Sequence, residues 1–202
     1  MDKQRIILAT GNRGKLREFQ HRLENVGQFE LVSQKDLGIG DAEETGITFV
    51  ENALIKARNA SKISGLAAIA DDSGLEVDAL KGAPGIYSSR YAGPSATDHD
   101  NSAQLLKAMT SSDNPTRSAR FRCVIVFMRH ALDPMPLICQ GTWEGQILEQ
   151  AQGTNGFGYD PLFYIPELNC TSAELDPDTK NRISHRGQAL NQFLEEFEKL
   201  TF

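Results

Sequence analysis

The chain has 202 residues, of which 40% are hydrophobic and 24% are charged, and its formal net charge is -6. This length and composition predict a globular protein with one domain over residues 1–202, built as two lobes. The acidic balance disfavours a nucleic-acid partner, which would require many Lys and Arg side chains to neutralise phosphates. A small anionic ligand remains compatible with it, because a few local cations and a divalent metal ion suffice to hold one.

The apolar runs are all too short to cross a bilayer, which takes about 20 residues. The first residues lack the pattern of a signal peptide, and we therefore predict a cytoplasmic protein with no membrane partner. Cys123, Cys139 and Cys170 are widely spaced and odd in number. That spacing is typical of reduced packing residues and not of a zinc site.

Hydrophobic periodicity predicts helices and strands that alternate in the first half of the chain. Strands are predicted at 5–10, 29–33, 65–71, 119–129, 137–148 and 162–165, and helices at 15–26, 48–64, 98–109 and 187–200. Thr48 and Glu51 form a capping box at the start of the second helix. The pattern predicts an α/β fold with a mixed central β-sheet flanked by helices. We expect it to be two-lobed, with the active site in the cleft between the lobes.

The segment from Gly65 to Gly74 is the most informative stretch, because an apolar run is followed directly by Asp71, Asp72 and Ser73. We interpret it as a buried strand that ends in two carboxylates, at the edge where open α/β sheets bind ligands. The alternative is an ordinary Asp-Asp-Ser-Gly turn. Since successive strand residues point to opposite faces, only one aspartate is expected to face a ligand directly.

A glycine-rich loop lies between the first predicted strand and the first predicted helix, where free backbone amides attract phosphate. It comprises Thr10, Gly11, Asn12, Arg13, Gly14 and Lys15. It is not a P-loop of the common pattern, because Ala9 and Leu16 stand where that pattern needs a glycine and a hydroxyl residue. The alternative is a plain turn with a solvated lysine.

An acidic loop precedes the second predicted helix and contains Asp41, Glu43 and Glu44. Acidic runs of this kind are usually solvated surface. Glu43 would become a metal ligand if it reached Asp72, because Mg2+ is bound by one or two carboxylates together with water and phosphate oxygens.

Two further segments carry residues suited to a nucleobase. The loop from Gly153 to Pro161 contains Phe157, on which a base could stack; the alternative is a wide turn with its aromatic side chains in the core. Lys180, His185 and Arg186 precede the last predicted helix. They could donate hydrogen bonds to a keto oxygen or a phosphate, or they could form a polar helix start.

These segments together resemble the inosine triphosphate pyrophosphatase family, whose members hydrolyse non-standard purine nucleoside triphosphates such as ITP, dITP and XTP. The resemblance is greatest to the bacterial members. The matching motifs, in family order over nearly the whole chain, are Ala9-Thr-Gly-Asn-Arg-Gly-Lys15, Ala42-Glu-Glu-Thr-Gly46, Phe49-Val-Glu-Asn-Ala53, Ala70-Asp-Asp-Ser-Gly-Leu75, Gly82-Ala-Pro-Gly85, Gly156-Phe-Gly-Tyr-Asp-Pro161 and Ser184-His-Arg-Gly187.

The resemblance implies cleavage between the α and β phosphates, which gives a nucleoside monophosphate and pyrophosphate. It also implies one Mg2+ per subunit, a homodimer, and a role in removing these nucleotides before DNA or RNA synthesis can use them. Asp72 would be the catalytic residue, and Glu43 with Asp72 would bind the metal. The implied substrate contacts are the loop from Thr10 to Lys15, in which Arg13 holds a variable position, and Ser73, Phe157, Gly158, Tyr159, Asp160, Lys180, His185 and Arg186.

A carboxylate in contact with Mg2+ is a poor base, because the cation favours its ionised form. We therefore expect Asp72 to act first as metal ligand and water-positioning group and second as proton acceptor, with Asp71 as structural support. Two other functions remain open: a pyrophosphatase for modified pyrimidine nucleotides, and a regulatory module that binds a nucleotide without hydrolysing it.

Overall fold

The computed structural model describes residues 4–11, 15–16, 19 and 29–199. Its seven strands are β1 (Gln4–Leu8), β2 (Phe29–Ser33), β3 (Ala67–Val77), β4 (Ser118–Met128), β5 (Leu137–Ile147), β6 (Phe163–Ile165) and β7 (Cys170–Thr171). They form one sheet in the order β2-β1-β3-β4-β5-β6-β7. The sheet is mixed, because β1 pairs in parallel with β2 and β3 whereas β6 pairs antiparallel with β5 and β7. The predicted α/β fold with a mixed central sheet is confirmed, whereas the active-site cleft between two lobes stays a prediction.

The helices within residues 29–199 are α1 (Phe49–Ser64), α2 (Asp98–Thr110), α3 (Pro177–Ile183) and α4 (His185–Phe197). Short 3-10 segments cover Asp78–Leu80, Gly85–Arg90, Pro166–Leu168 and Ser172–Glu174. Within the described ranges, no helix combines the length and the apolar character that a membrane span requires. Lys15, Leu16 and Phe19 are helical as predicted; the rest of the helix predicted at 15–26 lies outside the described residues.

Helix α1 begins where the sequence predicts. The Thr48 hydroxyl accepts a hydrogen bond from the Glu51 backbone N–H at 3.3 Å, which satisfies one free donor of the first turn. The Glu51 carboxylate accepts from the N–H of Ile47 at 2.9 Å, one residue before the position that a capping box predicts. Gly65 ends the helix with a left-handed φ of 71°, a conformation that glycine adopts without steric cost.

The chain divides into two compact units. The first comprises Met1–Asp72, Val124–Gln140 and Ala189–Phe202, and the second comprises Ser73–Cys123 and Gly141–Gln188. Each unit has its own core. The first core includes Ile7, Ala53, Ala57, Ala70 and Val126, and the second includes Leu75, Leu105, Phe121, Trp143 and Phe163.

One local prediction is wrong. Strand β3 does not end at Asp71 and Asp72 but continues to Val77, because Leu75 and Val77 are themselves buried core residues. The short helix α3 before the last helix was not predicted; its N-cap Asp176 accepts a hydrogen bond from the N–H of Thr179.

None of the three cysteines, all of them described residues, forms a disulfide, and Cys123 and Cys139 are buried. Burial is the main reason why the pKa of the Cys139 thiol is raised to about 11. A thiol with such a pKa stays protonated and unreactive near neutral pH.

Candidate functional site

Two consecutive aspartates on β3 are each paired with a lysine from another part of the chain. Lys15 Nζ lies 2.8 Å from Asp71 Oδ2, and Lys56 Nζ lies 2.9 Å from Asp72 Oδ1. Neighbouring strand residues point to opposite faces, so the two carboxylates take partners from different segments. The result is two adjacent ion pairs within the first unit.

Both aspartates are buried, with exposed fractions of 1% for Asp71 and 7% for Asp72. Lys56 Nζ donates a hydrogen bond to Asp72 Oδ1, whereas Asp72 Oδ2 is buried and has no hydrogen-bond partner among the described residues. A buried carboxylate oxygen without a partner is costly to the fold. Asp72 Oδ2 can therefore bind a cation or accept a hydrogen bond.

The charges around Asp72 act in opposite directions. Burial raises the pKa of the Asp72 carboxyl above its ordinary value, although Lys56 and Lys15 partly offset the effect. Burial alone would lower the pKa of the Lys56 ammonium, but Asp72, Asp71 and Glu44 outweigh it, and the net pKa is raised. The lysine therefore remains charged beside the aspartates.

Lys56 is a site residue that sequence reasoning missed. It lies on α1 three residues after Ala53 and four before Ala60, both of which are buried. Residues at this spacing share one helix face. The signal available in the sequence was therefore a lysine within the apolar stripe of the helix, where a leucine or alanine would be expected.

Of the two glutamates in the acidic loop, Glu44 reaches the aspartates indirectly. Its Oε1 lies 3.0 Å from Lys56 Nζ, and Glu43 is exposed. Within the part of the chain that the structure describes, no three His, Cys, Asp or Glu side chains are grouped to hold a metal ion. A site of one or two carboxylates completed by phosphate oxygens is still compatible with this arrangement, because Mg2+ is commonly bound in that way.

Thr10 and Gly11, the first two residues of the glycine-rich loop, are well packed. Thr10 is buried, and a Cβ atom at Gly11 would lie only 2.8 Å from the Asp41 carboxylate. Glycine at position 11 therefore lets the loop pass close to that acidic side chain. The predicted contacts of Asn12, Arg13 and Gly14 lie outside the described residues.

In the second unit, the loop around Phe157 presents an aromatic ring partly to solvent. Phe157 is 38% exposed, whereas Tyr159 is buried and donates its hydroxyl to the Ser88 carbonyl at 2.8 Å. The alternative of a core position is therefore correct for Tyr159, whereas base stacking on the partly exposed Phe157 stays a prediction. Two cations lie near the Phe157 ring, with Lys180 Nζ at 5.1 Å and Arg186 Cζ at 5.8 Å from its centroid.

The loop is fixed by hydrogen bonds to buried and helical residues. Phe157 N donates to Asp160 Oδ2 at 2.8 Å, and Gly158 N donates to Asp98 Oδ2 at 2.7 Å. Asp160 also accepts from the ammonium of Lys180. These contacts hold the aromatic ring and the lysine close to the same carboxylate.

His185 and Arg186 form the first turn of α4 and are both buried. Arg186 Nη2 donates to the Ser73 hydroxyl at 3.1 Å. The His185 ring stacks on Phe121, with centroids 4.8 Å apart and an interplanar angle of 14°. The packing therefore fixes the orientation of both side chains.

The structure thus brings the predicted residues together in two groups. Lys15, Asp71 and Asp72 are associated in the first unit. Ser73, Arg186, Phe157, Lys180 and Asp160 are linked in the second. Asp72 is the last residue of the first unit's first segment, and Ser73 is the first residue of the second unit.

The fold and these residues define a class: an α/β protein with buried cationic and acidic side chains and an exposed aromatic ring flanked by cations. The chain belongs to the Ham1 family, whose model matches residues 6–196. This finding confirms the predicted family resemblance.

Named relatives and a solved structure cover nearly the whole chain. It is 58% identical over 189 residues to a dITP/XTP pyrophosphatase of Vibrio vulnificus, with 94% of each chain covered. It is 56% identical over 196 residues to a dITP/XTP pyrophosphatase of Vibrio cholerae, with 97% of this chain and 98% of the relative covered. A solved HAM1 protein from Coxiella burnetii matches with a TM-score of 0.93 and 51% identity, covering 98% of this chain and 100% of that chain.

Proposed function

We propose that this protein hydrolyses non-standard purine nucleoside triphosphates, namely dITP, ITP, XTP and dXTP, to the monophosphate and pyrophosphate. The names of its Vibrio relatives support this activity. The observation that carries the proposal is the pair of buried aspartates on β3, each bound to a lysine. Carboxylates and ammonium groups in this arrangement are suited to a phosphate chain and its metal ion.

The lysines and the glycine-rich loop are proposed to bind the triphosphate. Phosphoryl transfer depends mainly on positioning and on charge stabilisation. Lys15 and Lys56 supply fixed positive charges, and the residues from Thr10 to Gly14 would add backbone amides near a helix start. Asp71 orients Lys15 through its ion pair and so acts as structural support.

The donor set fits a single Mg2+ ion per subunit. Asp72 would bind it through Oδ2, the buried oxygen that has no hydrogen-bond partner among the described residues, and Glu43 would supply a second carboxylate. When bound, Mg2+ would neutralise phosphate charge and favour attack at phosphorus.

Asp72 is also proposed as the group that orients the attacking water. Lys56 fixes its Oδ1 at 2.9 Å, so the direction of Oδ2 is set by the protein. Burial raises the pKa of this carboxyl, which favours acceptance of a proton, whereas a neighbouring cation opposes it. Asp72 therefore acts first by position and second as proton acceptor.

The second group of residues is proposed to read the base. Phe157 would stack on the purine, and Lys180, His185 and Arg186 would donate hydrogen bonds to it. These groups donate hydrogen bonds to the 6-keto oxygen of hypoxanthine or xanthine, which accepts them, but they remain unpaired against the 6-amino group of adenine. Rejection by unpaired buried groups reaches about 10⁴-fold. Ser73, Gly158, Tyr159 and Asp160 are the remaining residues proposed to form the base end of the site.

In the cell this activity would remove damaged purine nucleotides before DNA or RNA synthesis. We propose that the protein works in the cytoplasm as a homodimer, in line with the family resemblance. Light scattering of the purified chain should then give about twice the chain mass of 22.3 kDa. A mass equal to one chain at micromolar concentration would contradict the dimer without affecting the proposed reaction.

The reaction is tested by identifying the products formed from ITP, XTP, GTP and ATP, each with and without Mg2+. We expect pyrophosphate and the monophosphate from ITP and XTP only in the presence of the metal, with little turnover of ATP. Asp72→Asn should abolish this turnover at saturating Mg2+. Release of orthophosphate in place of pyrophosphate would overturn the proposed cleavage site.

The same assay separates the two alternatives. Adding modified pyrimidine triphosphates to the panel identifies a pyrimidine enzyme by its substrate preference. Recovery of bound, intact ITP after incubation with Mg2+ would indicate a regulatory module. Each outcome contradicts the proposed reaction in a different way.

A further inference from the structure

Asp160 joins three segments of the second unit. It is 3% exposed, its Oδ2 accepts from Phe157 N at 2.8 Å and from the Lys180 ammonium, and its Oδ1 accepts from the Ser172 hydroxyl at 2.8 Å. Both oxygens are therefore engaged with protein donors. A carboxylate with both oxygens engaged is better suited to holding its neighbours in place than to binding a ligand.

The residues held by Asp160 are the ones proposed to meet the base. Lys180 Nζ lies 5.1 Å from the centroid of the Phe157 ring, within the range of a cation–π contact. The backbone approaches the carboxylate closely, because a Cβ atom at Gly156 would overlap Asp160 Oδ2. A rotation of the carboxylate would therefore shift the aromatic ring and the lysine together.

Ser172 fixes Asp160 by donating a hydrogen bond to Oδ1, the carboxylate oxygen that Phe157 and Lys180 do not contact. The residue is fully buried and lies in the 3-10 segment Ser172–Glu174, which also supports the loop through the Ala173 carbonyl and Asn155 N–H at 2.9 Å. Without the hydroxyl, Asp160 Oδ1 would lose its buried hydrogen bond. Such a loss is costly for a charged acceptor and is relieved by rotation or by water entry.

We propose that Ser172 is a positioning residue for nucleobase recognition, which it supports by fixing Asp160 and, through Asp160, both Phe157 and Lys180. This inference rests on the proposed pyrophosphatase function. It assigns Asp160 the role of fixing the base-binding side chains, in place of the direct substrate contact that the family resemblance implies. Ser172 itself touches neither base nor phosphate.

The test compares steady-state kinetics of Ser172→Ala with those of the wild type on ITP. We expect KM to rise about 10-fold because the base-binding residues are less well fixed, while kcat changes little. The Ki of inorganic tripolyphosphate, measured with Mg2+ as a competitive inhibitor, should remain unchanged because this probe has no base. A merely structural defect would weaken binding of both molecules.

Ser61→Ala is the matched control. Ser61 is also a buried serine, and its hydroxyl donates to the Leu66 carbonyl at 2.8 Å in the first unit. It should lower stability without changing the ratio of the ITP KM to the tripolyphosphate Ki. An equal change of that ratio in both serine variants would overturn the inference.

The outcomes distinguish this inference from the proposed function. A wild-type protein that releases no pyrophosphate from ITP contradicts the function, whereas an active wild type with an unchanged Ser172→Ala KM contradicts only the role of Ser172. If Ser172→Ala does not fold, Ser172→Cys takes its place, since a thiol is a weaker donor at the same position. Its KM should rise several-fold, and a wild-type KM would overturn the inference.

Discussion

The adjacent residues Asp71 and Asp72 have the same chemistry but different environments. Asp71 is paired with Lys15 and Asp72 with Lys56, and Lys56 also contacts Glu44. The single positive charge of Lys56 therefore lies beside the negative charges of two carboxylates in the first unit. Removing its charge should affect both the phosphate-binding capacity and the electrostatic balance of Asp72.

Lys56→Met keeps an unbranched side chain and removes the ammonium. We expect kcat/KM for ITP to fall about 100-fold, because a preorganised charge near the phosphates is lost and the carboxylates are left uncompensated. The control is Lys62→Met, an exposed lysine in the last turn of the same helix. Near-normal activity of Lys56→Met would remove this residue from the proposed site.

Arg186→Ala tests the base end of the proposed site. The variant loses a buried guanidinium 5.8 Å from the Phe157 ring centroid, so the KM for ITP should rise about 10-fold or more. The Ki of inorganic tripolyphosphate should stay nearly constant. Arg182→Ala, an exposed arginine four residues earlier, is the control, and equal losses for ITP and tripolyphosphate would assign Arg186 to the phosphates instead.

Single residues differ in how far the sequence reveals them. Asp72 and Arg186 lie in recognisable motifs, and Asp72 also follows an apolar run that predicts a buried strand. Lys56 and Ser172 carry no motif, because their partners, Asp72 and Asp160, are 16 and 12 residues away along the chain. Contacts between distant segments depend on the tertiary arrangement, which local patterns do not encode.

At the level of elements, β3 illustrates the same limit. Asp-Asp-Ser-Gly is ordinary turn chemistry, yet the strand runs through it from Ala67 to Val77. Lysines from other segments compensate the carboxylates, and the apolar residues beyond them enter a core. Tertiary context has overridden local propensity, whereas long periodic elements such as α1 and β4 were predicted to within one or two residues.

Helix α1 carries Lys56, so its N-terminal cap matters for the candidate site. Thr48→Ala removes the side chain that accepts from Glu51 N, and the free energy of unfolding should fall by about 1 kcal/mol. Urea unfolding of Thr48→Ala and of Thr45→Ala, an exposed threonine of the preceding loop, measures the difference. A loss of equal size in both variants would show that the cap hydrogen bond contributes nothing specific.

A carboxylate–guanidinium contact links the segment after β3 to β4. Arg120 Nη1 lies 2.7 Å from Asp78 Oδ1, and hydrogen bonds from Arg120 and then from Ser118 lower the pKa of Asp78 to about 2. Since the folded pKa lies below the ordinary aspartate value of 3.8, the stabilisation is complete above about pH 5 and is lost as pH falls towards 2. The Asp78 side chain is 38% exposed, so solvent screening limits the gain to under about 1 kcal/mol.

Asp78→Asn should therefore reduce the free energy of unfolding more at pH 6 than at pH 3. Urea denaturation at both pH values measures this difference. Asp113→Asn, which removes an exposed carboxylate of the same unit, should have a smaller effect without the same pH dependence. A deficit that is constant between pH 3 and pH 6 would contradict the ion-pair origin.

At the scale of the whole molecule, the two units are not consecutive pieces of sequence. The chain passes from one unit to the other after Asp72, Cys123, Gln140 and Gln188. The first three of these positions lie inside β3, β4 and β5. Each of these strands therefore contributes residues to both units, and neither unit corresponds to a single excisable segment.

We therefore expect the chain to unfold in one cooperative transition, as the prediction of a single domain over residues 1–202 requires. Trp143 is the only tryptophan and is buried in the core of the second unit, so its fluorescence reports on that unit, whereas far-ultraviolet circular dichroism reports on the helices of both. The two signals should give the same urea midpoint and the same slope, because losing the core of one unit would remove strand residues that the other unit needs. A fluorescence transition that is complete while half of the helical signal persists would contradict this expectation, and it would mean that the shared strands can fray at the unit boundaries without unfolding both cores.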